Sequence, residues 1–131
     1  MRPLSLVVVD DECSIIYAFR MTLDSMGHKV IATGANGLEA IELYRAHHPD
    51  VLIIDFRMPL MDGLKASDAI RKEFPDAHII MCSAYQPAAS AGSIGDILFL
   101  SKPLLKEDLD AAFHRLIDPH NGGSNGSRKA A

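Results

Sequence analysis

Short apolar runs alternate with stretches of helical period along this chain, five times over. Residues 4–9 form a Val-rich run. Residues 13–26 follow, with Ile15, Phe19, Leu23 and Met26 at i, i+4, i+8 and i+11, one face of a helix. Gly27 is placed to stop that helix. Residues 28–33 alternate apolar and polar, as a half-covered edge strand does. Asn36 with Glu39 three residues on reads as a capping-box variant opening a second helix, which runs to about residue 47 before Pro49. Residues 51–54 are wholly apolar and predict a strand buried on both faces. A helix over 63–74 carries Ala66, Ile70 and Phe74 on one face. Strands are predicted over 77–82 and 96–100. Leu105, Leu109, Ala112, Phe113 and Leu116 then give a clear last helix.

Strands alternating with helices predict a parallel sheet covered on both faces, a doubly wound α/β domain over residues 1–117. Residues 118–131 are Gly-, Ser- and Asn-rich and predict a flexible polar tail or a truncated linker. One connection is short. Between Ser83 and Asp96 the chain must form loop, helix and loop, with Pro87, Gly92 and Gly95 inside it, so a short or irregular helix is expected there.

Composition narrows the functional classes. The chain of 131 residues is 48% apolar, enough for one packed domain. A net charge of −4 gives no bulk attraction to nucleic acid. No apolar run is long enough to span a membrane, and no signal-peptide pattern precedes the first strand, so a cytoplasmic location is expected. Cys13 and Cys82 have no partner motif; Cys82 reads as core, and a reducing compartment suits both. The six histidines show no ligand spacing and read as surface or structural.

In doubly wound sheets ligands bind beyond the carboxyl ends of the strands. Those ends carry Asp10 and Asp11 after the first strand, Asp55 after the third, Ser83 after the fourth, and Lys102 after the fifth. Three converging carboxylates repel one another and need a positive partner. A hard divalent cation such as Mg²⁺ suits oxygen ligands. Lys102 adds a fixed charge and Ser83 a hydroxyl donor. This set fits a transferring phosphoryl group, with Asp55 as nucleophile at the end of the most buried strand. Asp10 and Asp11 have a plainer reading as charges favouring a helix N-terminus.

Val7-Val8-Val9-Asp10-Asp11, Asp55-Phe56-Arg57-Met58-Pro59-Leu60-Met61-Asp62-Gly63, Ser83-Ala84 and Lys102-Pro103, in this order, resemble the receiver domain of two-component response regulators. The resemblance runs from about residue 3 to 117 and implies the flavodoxin-like strand order 2-1-3-4-5. It implies that Asp55 is the phosphoacceptor, that Asp11 ligates Mg²⁺ directly and that Asp10 holds a metal-bound water. The Arg57 backbone carbonyl would complete the metal shell. Lys102 and Ser83 would bind the phosphoryl group, the Lys102–Pro103 bond would be cis, and Ser83 and Phe99 would form the switch. Arg57 and Tyr85 are candidate modulators of dephosphorylation; a solvated loop side chain is the plainer reading of each.

The implied partners are a histidine kinase or histidine phosphotransfer protein and an unknown downstream protein, with no nucleic acid and no membrane. The implied activity is phosphorelay signalling: the chain would catalyse only its own phosphorylation and slow autodephosphorylation. Two alternatives stay open: a degenerate receiver used as a dimerisation module, and a Mg²⁺-dependent aspartyl-phosphate phosphatase. The phosphatase would want a second carboxylate where Arg57 stands. A nucleotide-binding fold lacks its glycine-rich loop.

Overall fold

A computed structural model describes residues 1–84 and 97–117. Its elements are β1 (Ser5–Val9), α1 (Cys13–Ser25), β2 (Lys29–Gly34), α2 (Gly37–His47), β3 (Val51–Asp55), α3 (Gly63–Glu73), β4 (Ile79–Ser83), β5 (Leu98–Ser101) and α4 (Lys106–Ile117). The five strands are parallel, in the order β2-β1-β3-β4-β5. The half-polar strand is indeed an edge, and the two all-apolar runs lie inside the sheet. The expected short helix between the fourth and fifth strands, Tyr85 and the tail 118–131 fall outside the described residues, apart from Ala84.

Strand side chains alternate between the two faces, so each face has its own core. Leu6, Val8, Val51, Ile53, Ile80 and Cys82 point to one side, where Phe19 and Leu23 of α1 and Leu109, Ala112 and Phe113 of α4 cover them. Val7, Val9, Leu52, Ile54, Ile79 and Met81 point to the other, beneath Ala40 and Tyr44 of α2 and Ala66 and Ile70 of α3. Each fully buried aliphatic or aromatic side chain contributes about 1.5–3 kcal/mol by leaving water. This two-sided burial fixes the register, because a one-residue slip would turn each strand's apolar set to the wrong helix pair.

Local chemistry sets the helix ends. Gly27 adopts φ of 87° just past α1, a conformation that costs glycine no Cβ clash. Asn36 accepts from the Glu39 amide at 2.9 Å, while the Glu39 carboxylate takes the Ala35 amide at 2.7 Å. The capping box is therefore shifted: its return bond reaches one residue further back than Asn36. Asp62 caps α3 through the Lys65 amide at 2.8 Å.

Several predicted boundaries need correction: β4 starts at Ile79 rather than at 77, and β5 covers Leu98–Ser101 rather than 96–100. β3 and β4 extend through Asp55 and Ser83, so these residues end their strands rather than follow them; the pairings Asp55↔Cys82 and Ser83↔Ser101 carry the ladder that far. Leu105 does not belong to the last helix. It precedes α4, is 58% exposed, and donates its amide to Asp108 at 3.2 Å, which uses it as a cap instead.

Candidate phosphoryl and metal site

The sheet order reverses between β1 and β3, and the carboxyl ends of these strands open a crevice there. β1 delivers Asp10 and Asp11 to it, and β3 delivers Asp55. Carboxylate oxygens of the three lie within 4.8 Å of one another. Asp10 is 2% exposed, whereas Asp11 faces solvent. One Asp10 oxygen accepts the Glu12 amide at 3.0 Å, which orients the carboxylate as α1 begins. The amide it holds belongs to Glu12, the N-cap residue of α1.

Lys102 enters from the opposite side. Its Nζ lies 2.8 Å from Asp10 Oδ2 and 2.9 Å from Asp55 Oδ1. Its amide bonds the Ser83 carbonyl at 2.8 Å, which ties the lysine to the end of β4. The Lys102–Pro103 peptide is cis. Burial pulls the Lys102 pKa down, but its bonds to Asp10 and Asp55, with the charges behind them, outweigh this and raise it. Burial raises the Asp55 pKa above the usual carboxylate range; Lys102 counteracts, and the charges of Asp10 and Asp11 add to the rise. Burial likewise pushes the Cys82 thiol far up, so Cys82 is core and no nucleophile, as its sequence context suggested.

Ser83 is buried at the end of β4. Phe99 pairs with Met81 in the sheet and packs partly buried on the α2–α3 side. Arg57 is exposed in the loop that leaves β3. The crevice therefore gathers Asp10, Asp11, Asp55 and Lys102, with Ser83 at the next strand end. Phe99 lies one strand further out.

Sequence reasoning missed two glycines. A Cβ on Gly63 would overlap the Asp55 carbonyl oxygen, so α3 can start this close to the acceptor strand only with glycine. Gly63 also donates its amide to the Phe56 carbonyl at 2.8 Å. Gly37 makes a like approach to Met61. The signal was present, since each glycine directly follows a helix-capping residue, but its partner is unreadable without coordinates. Sequence reasoning also aimed Lys102 at the phosphoryl position and did not foresee its equally short contact with Asp10.

An open parallel sheet with an acidic, lysine-bridged crevice at its switch point defines a doubly wound α/β domain. The family model "Response regulator receiver domain" matches residues 6–114, and the chain belongs to that family. It is 38% identical over 79 residues to the chemotaxis protein CheY of Bacillus subtilis, covering 60% of this chain and 66% of that protein. It is 34% identical over 82 residues to a protein-glutamate methylesterase/protein-glutamine glutaminase of Hahella chejuensis, covering 63% of this chain but only 24% of that protein. The match thus spans less than two thirds of both relatives. The CheX–CheY–BeF3–Mg²⁺ complex from Borrelia burgdorferi contains a chain of the same fold, with TM-score 0.82 and 27% identity over 88% of this chain and 90% of that one. No described helix is long and apolar enough to cross a membrane.

Proposed function

We propose that this domain accepts a phosphoryl group on Asp55 from a histidine kinase or histidine phosphotransfer protein, with Mg²⁺ bound, and thereby switches a protein–protein contact. The observation that carries the reading is one ammonium shared by Asp10 and Asp55, with Asp11 close by. Mg²⁺ fits the donor set, which is three hard carboxylate oxygens and no soft ligand. Asp11, Asp55 and the Arg57 carbonyl would hold it directly, with Asp10 acting through water. Bound there, it would offset the negative charge of the phosphoryl oxygens.

The remaining work falls to side chains of the chain itself. Asp55 attacks phosphorus. The new O–P bond forms as the donor's N–P bond breaks, and the imidazole leaves with the electron pair and takes a proton. Lys102 moves its contact from the Asp55 carboxylate to a phosphoryl oxygen, keeping Asp10 as its second partner. The Ser83 hydroxyl donates to another oxygen, and Phe99 repacks with it. Output is read by a partner that binds the two states differently. Beyond its own phosphorylation and slow hydrolysis, the domain turns over no substrate, binds no nucleic acid and works in the cytoplasm. The phosphatase alternative is disfavoured by an exposed Arg57 where a second carboxylate would be needed.

Incubation with acetyl phosphate and Mg²⁺ tests the reading. One phosphoryl adduct is expected by intact mass, and none in Asp55→Asn. An adduct on the Asn variant, or none on the wild type, refutes it.

A further inference from the structure

The loop between β3 and α3, residues 56–62, carries the Arg57 carbonyl, and its shape is held from outside. Leu60 has φ of 69°, a left-handed conformation that a bulky side chain rarely adopts. The Met61 amide bonds the Pro59 carbonyl at 2.7 Å across it, which makes a tight turn of the strained, positive-φ kind. The Leu60 side chain is 79% exposed, so its own packing does little to hold this conformation. The holding contacts are backbone ones. Gly63 donates to Phe56, as described above. On the other side, the first residue of α2, Gly37, donates its amide to the Met61 carbonyl at 3.0 Å. A Cβ on Gly37 would stand 2.5 Å from that oxygen and 2.8 Å from Met61 Cβ and Cγ.

We propose that Gly37 is a positioning residue for the phosphoacceptor loop: its lack of a side chain lets the N-terminus of α2 clamp Met61 and so fixes the Arg57 carbonyl beside Asp55. The inference rests on the metal role given to Arg57 under the proposed function. It assigns to α2, which contributes no side chain to the crevice, a part in metal binding. Any side chain at this position must push the Met61 carbonyl away, and the strained turn next to it relaxes first. The carbonyl of Arg57 then drifts from the two carboxylates that share its ligand.

Gly27 supplies the control. A Cβ there meets nothing within 4 Å, while its φ of 87° makes a side chain costly, so the substitution loads the backbone far from the loop. Mg²⁺ titrations followed by amide NMR should show Gly37→Ala weakening the metal by about tenfold or more, the usual effect of losing a ligand-orienting contact. Gly27→Ala should bind Mg²⁺ as the wild type does. Equal affinity in Gly37→Ala, or equal loss in both variants, overturns the proposal. If Gly37→Ala does not fold, the wild type decides. Its Gly37 amide should exchange slowly, and the Gly37 and Met61 signals should move with Arg57 as Mg²⁺ is added. A fast-exchanging or unresponsive Gly37 overturns the clamp. A wild type that binds no Mg²⁺ at all refutes the proposed function instead.

Discussion

Lys102 Nζ lies 2.8 Å from Asp10 Oδ2, although 92 residues separate the two in the chain. The lysine is therefore a structural counterion of the acidic crevice before it meets any ligand. Asp10 is almost wholly buried and would be a costly lone charge without it.

Lys102→Gln should destabilise the fold by about 3 kcal/mol, because it leaves Asp10 and Asp55 facing each other without a cation. Mg²⁺ should restore part of that loss. Urea denaturation with and without the metal measures both effects. Undiminished stability in metal-free buffer would mean that Lys102 does not neutralise the crevice.

Asp11 differs from Asp10 because it faces solvent and pairs with no lysine among the described residues. Asp11→Ala should leave metal-free stability within about 0.5 kcal/mol of the wild type. It should abolish the rise in Tm that Mg²⁺ gives the wild type, since a ligand stabilises only the form it binds. Thermal melts in chelator and in Mg²⁺ check the two halves separately.

His28 should give stability an acid limb. Its Nδ1 accepts the Leu4 amide at 3.0 Å, and its ring meets Phe113 of α4 edge-on at 5.1 Å. Burial lowers its pKa from 6.5, against a raising influence from Asp110. Folded His28 therefore stays neutral where unfolded His28 already binds a proton. Its contribution is complete above 6.5 and is lost as the pH falls from there through the folded pKa. Chemical denaturation at about pH 7 and about pH 5 should show a steeper loss for the wild type than for His28→Gln, which keeps an acceptor but cannot titrate. Parallel slopes would contradict this.

The two leucines at the start of the last helix should behave oppositely. Leu109 is 1% exposed and Leu105 is 58% exposed. Leu109→Ala should cost about 2–5 kcal/mol. Leu105→Ala should cost under about 0.5 kcal/mol, as surface changes do. Comparable costs would return Leu105 to the core.

The strand–helix alternation, the central place of β1 and β3, and the residues of the crevice are all legible in the residue pattern. The reason is physical: a strand buried on both faces must be apolar throughout, and its polar residues collect where it ends. Asp10 and Asp55 are legible because each breaks such a run. The same logic counts Leu105 into the last helix, which begins one residue after it, since helical period alone does not say where the first hydrogen-bonded turn begins. Contacts between segments far apart in the chain are legible only once the elements are packed. These are Lys102 dividing itself between Asp10 and Asp55, Gly63 against the Asp55 carbonyl, and Gly37 against Met61. Side-chain period records which face is buried, but it carries no information on which backbone atom of another element presses against a given Cα. That distance is set by how α2 and α3 seat on the sheet, which depends on the volume of the whole core between them.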